Sequence, residues 1–106
     1  MSWEVSEKKV RNYLLNIGHR EGQSKARFSL ARGFTDAEWQ ILDQALREHP
    51  IDNPVVAEEA TEYGRKLIVR CQIMSPDGRN PCIRTVWMAE AGTLPRFVTA
   101  YPFSGR

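Results

Sequence analysis

The fold is decided by residues 84–102, RTVWMAEAGTLPRFVTAYP. Before Gly92, side chains on one face of the predicted strand alternate with those on the other, and the alternation resumes with Phe97, Thr99 and Tyr101 after it. A period of two is the signature of β-strands. This stretch therefore predicts two antiparallel strands joined by a turn.

Two further strands are predicted upstream, over residues 55–61 and 67–75, with a turn at Tyr63 and Gly64. The segment Pro76-Asp77-Gly78 suits a type I turn followed by a glycine bulge. This turn would pair Ser75 with Arg79, Arg70 with Arg84 and Cys71 with Ile83. The four strands would then form a meander.

Three helices are predicted before the strands, over residues 7–17, 25–32 and 36–48. Ser6 and Ser24 are candidate N-caps of the first two, and Gly18 and Gly33 would stop them. The third has the strongest local signature, because Thr35 and Glu38 form a capping-box pattern. The sequence thus predicts an α+β fold in which three N-terminal helices, within about 7–48, pack on one face of a four-stranded antiparallel meander, within about 55–102.

Composition is that of a globular protein, since 42% of the residues are hydrophobic and 26% are charged. We expect one domain over residues 1–106. No apolar run approaches the roughly 18 residues that span a membrane, and no signal peptide is evident, so we expect a cytoplasmic protein. Two cysteines without CxxC spacing and two histidines predict no metal site, and we expect no cofactor.

Charge is unevenly distributed along the chain. The net charge is +4 over residues 1–33, −7 over 34–62 and +5 over 63–106, which sums to +2. The two basic blocks could share a face toward a polyanion. Alternatively, the blocks neutralise one another in the fold.

The predicted register separates two faces of the sheet. One face, for the helices to cover, carries Leu67, Val69, Cys71, Ile73, Ile83, Thr85 and Trp87. The opposite face would carry Arg70, Gln72, Arg84, Met88 and Glu90, and a register pairing Arg84 with Tyr101 and Val86 with Thr99 would add Phe97, Thr99 and Tyr101 to it. A shift of one residue would bury Thr99 and Tyr101 instead. Cys71 and Cys82 would lie on opposite faces, which argues against a disulfide.

Arginines, hydroxyls and an aromatic ring on one surface suit a phosphodiester. Arginine binds phosphate bidentately, hydroxyls position its oxygens, and rings stack on bases. The alternative is a solvated sheet face without a ligand. Among the histidines, His19 lies in a glycine-bounded basic loop and is the candidate acid or base, although a lone histidine is more often structural. His49, beside Pro50, is interpreted as a cation at a helix C-terminus.

The closing strands carry a resemblance to an uncharacterised bacterial domain family that is common in cyanobacteria. Members of that family end with an RTVW strand and a PRxVTAYP strand, as residues 84–87 and 95–102 do here. Residues 16–19, 22–28 and 76–81 also match its pattern. The resemblance covers the chain from near its N-terminus to its end, and the family has no settled function.

The layout of helices followed by a four-stranded meander also resembles metal-independent ribonuclease toxins of the barnase, EndoU, colicin and RelE type. This likeness implies an endoribonuclease that cleaves RNA through a 2′,3′-cyclic phosphate. The expected catalytic residues are His19, Lys25, Arg84, Thr99 and Tyr101, and the expected substrate-binding residues are Arg70, Gln72 and Phe97. Fold analogy alone does not establish an activity.

A different class of function stays open beside the enzyme. The protein could be a small non-enzymatic interaction module that binds a protein encoded nearby, such as an antitoxin. The acidic segment 34–62 would then be its contact surface.

Overall fold

In a computed structural model, the described residues are 3–11, 15 and 23–102, with the backbone alone for residues 23–25. Three helices precede four strands: α1 (Glu7–Lys9), α2 (Gln23–Ala31), α3 (Trp39–Asp52), β1 (Val55–Thr61), β2 (Gly64–Gln72), β3 (Cys82–Ala89) and β4 (Arg96–Pro102). The strands are antiparallel in the order β1-β2-β3-β4. The α+β meander predicted from the sequence is therefore confirmed. No helix in the described ranges is long and apolar enough to span a membrane.

The core lies between α3 and one face of the sheet. Leu42, Ala45 and Leu46 of α3 are buried in one cluster with Leu67 and Val69 of β2 and with Ile83 and Trp87 of β3. Trp87 is 0% exposed, and the rings of Trp3 and Phe97 meet it edge to face, with centroids 5.3 and 5.4 Å away. The helix-covered face is thus the one that the alternation predicted, apart from Cys71, which is exposed.

The strand register agrees with the prediction over most of its length. Arg70 pairs with Arg84, Cys71 with Ile83, Arg84 with Tyr101 and Val86 with Thr99. The β3–β4 ladder then shifts, because Trp87 pairs with Phe97 and leaves Val98 as an extra residue. Such a bulge reverses the side to which the strand's next residues point.

Phe97 was therefore wrongly placed by the sequence analysis. It is 5% exposed and packs on Trp87 in the helix-covered core, instead of lying beside Thr99 and Tyr101. The physical reason is the bulge at Val98, which simple alternation does not anticipate.

Helix α3 begins later and ends later than predicted. The Thr35 Oγ1 accepts a hydrogen bond from the Glu38 backbone N–H (3.3 Å), as a capping box requires, but the helix itself starts at Trp39. It continues through Pro50, and Asn53 closes it by donating its backbone N–H to the His49 carbonyl and its side-chain amide to the His49 and Gln72 carbonyls. These added bonds hold the last turn against β2.

The other helix predictions differ at their ends. Helix α2 begins two residues before the predicted start, so Ser24 lies inside it, and Gly33 follows its end with a φ of +95°. Ser6 lies at the N-cap of α1 but makes no side-chain capping bond. Residues 12–14 and 16–18, over which α1 was predicted to continue and stop, lie outside the described residues. Strand β2 covers Gly64–Gln72 rather than 67–75, and residues 73–81 form a longer connection to β3.

His49 is buried rather than exposed at the helix end. It is 1% exposed, its Nε2 lies 2.8 Å from the Cys71 carbonyl, and its Nδ1 lies 3.0 Å from the Thr85 Oγ1. A carbonyl can only accept, so Nε2 carries the proton and Nδ1 accepts from the Thr85 hydroxyl. The Thr85 oxygen in turn accepts from the Trp87 indole N–H at 2.8 Å. This chain is complete with a neutral imidazole, which contradicts the expectation of a helix-end cation.

Stability should depend on the protonation of His49. Burial lowers the pKa of this histidine below its ordinary 6.5, with the Cys71 carbonyl partly opposing the shift. The unfolded chain therefore binds the proton more readily, so the stability that neutral His49 contributes is present above about pH 6.5 and is lost as the pH falls. We expect the free energy of unfolding to fall more between pH 7.5 and 5.5 in the wild type than in a His49→Gln variant, measured by urea denaturation. Equal losses in the two proteins would contradict the assignment.

Candidate functional site

The site begins with a row of side chains across three strands. Arg70 of β2, Arg84 of β3 and Tyr101 of β4 are successive cross-strand partners, so they lie on the same face of the sheet, opposite α3. Directly opposed like charges repel. The Arg84 guanidinium turns toward β4 and lies over the Tyr101 ring, with its Cζ 5.5 Å from the ring centroid.

The Arg84 side chain has unused hydrogen-bonding capacity. Its Nε is buried and has no hydrogen-bond partner among the described residues, where Arg84 makes no ion pair either. Glu90, which the sequence analysis placed on the same face, pairs with Arg96 at 3.1 Å. A buried donor without a partner costs free energy that a bound acceptor would recover.

Thr99 repeats the same feature two residues from Tyr101. Its Oγ1 is buried without a hydrogen-bond partner in the part of the chain described here. In its row, Ile68 and Val86 are 4% and 6% exposed. The sequence analysis left this whole face uncovered, but in the structure its middle row is covered.

We use the name arginine row for Arg70, Arg84 and Tyr101 together with Thr99 of the neighbouring row.

The remaining predicted site residues are not all brought to this row. Gln72 ends β2 beyond Arg70 and is exposed. Phe97 is in the core, on the other side of the sheet. Lys25 is the third residue of α2, and its side chain lies outside the described residues, as His19 does entirely.

Two residues near the row were not singled out as site residues by the sequence. Phe28 of α2 lines a small apolar cavity together with Tyr101, and the Arg32 guanidinium lies over the Phe28 ring, with Cζ 4.8 Å from its centroid. The Arg32 Nε is also buried and unpartnered among the described residues. The signal was present as the four-residue spacing of Phe28 and Arg32, which puts Arg32, the residue after α2, about one helical turn from Phe28 and on the same side.

Opposite charges from different blocks meet across the fold. Asp36 pairs with Arg11, and Glu58 and Glu59 of β1 pair with Arg65 and Lys66 of β2, at 3.1, 2.9 and 3.9 Å. The acidic segment is therefore partly neutralised by the basic ones. None of these three pairs involves Arg84. In the described ranges, no group of three or more metal-ligating side chains converges.

The chain belongs to a family of unknown function. The model of the domain of unknown function DUF6883 matches residues 2–104. No curated protein matches the chain. Among solved structures, the chain is similar to one chain of a contact-dependent growth inhibition toxin–immunity protein complex from Klebsiella pneumoniae 342. The TM-score is 0.77 at 20% identity, over 97% of this chain and 95% of that one, a likeness that concerns the fold.

Proposed function

We propose that the arginine row binds the phosphodiester backbone of RNA and that the protein is a metal-independent endoribonuclease of toxin type. The observation that carries the proposal is the pair of buried, unpartnered polar atoms, Arg84 Nε and Thr99 Oγ1, on the same face as Tyr101. A phosphate would offer acceptor oxygens to both groups once their side chains turn outward, and arginine binds phosphate bidentately. The fold shared with a chain of a toxin–immunity complex supports a toxin-like role.

The proposed chemistry needs a base, a charge stabiliser and a proton donor. His19 would remove the proton from the ribose 2′-hydroxyl, whose oxygen then attacks the adjacent phosphorus and forms a 2′,3′-cyclic phosphate. Arg84 and Lys25 would stabilise the negative charge that gathers on the phosphate oxygens. Thr99 and Tyr101 would hold the phosphate, and Tyr101 could protonate the departing 5′-oxygen. Arg70 and Gln72 would bind the neighbouring backbone.

Binding provides the direct test of the row. We expect the Arg84→Ala variant to bind RNA more weakly than the wild type at every salt concentration, because one phosphate contact is lost. The slope of log K against log salt should become shallower by about one contact. Fluorescence anisotropy with a labelled single-stranded RNA, at four or more salt concentrations, measures both quantities.

The matched control is Arg79→Ala. Arg79 carries the same charge but lies on the exposed connection between β2 and β3, with 70% of its side chain exposed and a 3.6 Å contact to Asp77. It should change affinity and slope less than Arg84→Ala does. Equal effects of the two substitutions would indicate nonspecific charge attraction and would remove the site.

A specific observation also favours a protein-binding function. Every residue of the edge strand β1 is exposed, including Val55 and Val56, and Ile51 and Tyr63 expose further apolar surface before and after the strand. The opposite edge is partly covered, because the Glu4 N–H donates to the Pro95 carbonyl and the Glu4 carbonyl accepts from the Phe97 N–H of β4. An open strand edge is a common place for a partner chain to add a strand. As an alternative, we therefore propose an interaction module whose partner pairs with β1, which predicts that Val56→Lys abolishes partner binding without changing RNA binding.

A further inference from the structure

The two cysteines are not where regular strand alternation would put them. Gln72 pairs with Cys82 and Cys71 with Ile83, so Cys71 and Cys82 are offset by one residue across the ladder. In a regular sheet such neighbours point to opposite faces. Cys71, however, has a φ of +132°, which is outside the strand region and rotates its side chain out of the regular alternation.

As a result, the two thiols lie together. The Cys71 side chain lies close enough to Cys82 to act on its thiol directly. Together with burial, the larger cause, this contact raises the pKa of Cys82 to about 11. The expectation that the cysteines lie on opposite faces was therefore wrong, even though the register on which it rested is confirmed.

The backbone spacing is compatible with a covalent bond. Strands about 4.8 Å apart, with a rise of about 3.4 Å per residue, put two Cα atoms that are one residue out of register about 6 Å apart. Disulfides span Cα separations of about 4.4 to 6.8 Å. Bond formation thus requires side-chain rotation and no separation of the strands.

We propose that Cys71 and Cys82 form a reversible intramolecular disulfide in the folded protein when a small-molecule disulfide acts as the oxidant. The Cys71 thiolate attacks one sulfur of oxidised glutathione, forms a mixed disulfide and releases one glutathione thiolate. The Cys82 thiolate then attacks the Cys71 sulfur and releases the second glutathione. Two protein thiols are oxidised, one glutathione disulfide is reduced to two thiols, and the two protons pass to the departing thiolates.

Accessibility sets the order of the two steps. Cys71 is exposed and Cys82 is only partly so, which makes Cys71 the thiol that meets the oxidant. Burial keeps the pKa of Cys82 high, so its thiolate is scarce at neutral pH. The closing step should accelerate as the pH rises from 7 toward 9, since the rate of exchange follows the thiolate fraction.

This site adjoins both the core network and the arginine row, to which Arg70 belongs, but its thiol chemistry needs no RNA. The Cys71 carbonyl accepts a hydrogen bond from the His49 Nε2–H, so α3 fixes the backbone of the strained residue. Arg70, the next residue along β2, lies close enough to Cys82 to oppose the rise of its pKa. Thiol chemistry here can be measured whether or not the protein cuts RNA.

The experiment is mass spectrometry of the folded, reduced protein incubated with oxidised glutathione, then alkylated. We expect the wild type to lose two hydrogens, to resist alkylation at both cysteines and to recover both thiols with dithiothreitol. The Cys82→Ser variant should instead stop at one bound glutathione on Cys71. The Cys71→Ser variant should react more than ten-fold more slowly than Cys82→Ser, because its remaining thiol is partly buried.

Three results would overturn the proposal. The wild type could accumulate the glutathione adduct as Cys82→Ser does, both thiols could stay free, or the disulfide could form only between two protein molecules. Circular dichroism melts of both serine variants verify that each reaction is that of a folded protein. Peptide mapping of the oxidised wild type identifies the linkage directly.

Discussion

Replacing Trp87 with alanine should lower the free energy of unfolding by about 3 to 5 kcal/mol, the range for a fully buried tryptophan. Its side chain is 0% exposed and is held edge to face by Trp3 and Phe97. The substitution leaves a cavity at the centre of the sheet and also removes the N–H donor to Thr85. Urea denaturation monitored by circular dichroism gives the value.

Trp39 provides the matched control for this prediction. It is the same residue type, but it is only partly buried at the start of α3, against the edge of the same core. Trp39→Ala should therefore cost clearly less than Trp87→Ala. If the two losses are equal, or if Trp87→Ala costs under about 1 kcal/mol, Trp87 is not the central residue of the core.

The overall fold could be predicted because its signals are local. The two-residue alternation and the turn at Pro76-Asp77-Gly78 were enough to predict that Arg70 pairs with Arg84. Glycine at residue 78, where φ is +78°, permits the turn that aligns the two strands. Leu42 and Leu46 are likewise a local signal, because their spacing of four residues puts both on one face of the helix, and that face is buried.

The errors arose where one residue breaks the regular geometry. The bulge at Val98 moved Phe97 into the core, and the positive φ of Cys71 moved its thiol beside Cys82. Neither position carries glycine or another residue type that would announce the irregularity. Alternation predicts faces only while the backbone stays regular, so residues beyond such a point need tertiary information.

The misinterpretation of His49 has a different cause. Its place beside Pro50 suggested a helix end, whereas the spacing of Leu42, Leu46 and His49 puts all three on the inward face of α3. Hydrogen bonds to the Cys71 carbonyl and Thr85 offset the cost of burying the imidazole. These two partners are 22 and 36 residues away in sequence. A satisfied buried histidine can be recognised only when those distant partners are known.

The arginine row was predicted in part for the same reasons. Alternation and turn geometry brought Arg70, Arg84 and Tyr101 together, and the structure adds that Arg84 stacks on Tyr101. The buried, unpartnered state of Arg84 Nε and Thr99 Oγ1 depends on packing, which no sequence pattern reports. That state distinguishes the row from an ordinary solvated sheet face.

Replacing His19 with alanine should slow RNA cleavage by about 10²- to 10⁴-fold, the contribution of a general base, and should leave RNA affinity nearly unchanged. The Arg84→Ala variant should lose cleavage by a comparable factor together with affinity, because the guanidinium would stabilise charge in the transition state as well as bind phosphate.

The assay for these two variants is incubation of purified protein with total RNA in the presence of a chelator, after which the new 3′ ends are tested for cyclic phosphate. Arg79→Ala, which removes one positive charge outside the arginine row, should cut as fast as the wild type, and thermal melts should show that all variants are folded. If the wild type neither binds nor cuts RNA, or if His19→Ala cuts at the wild-type rate, the proposed mechanism is wrong and partner binding through β1 becomes the function to test.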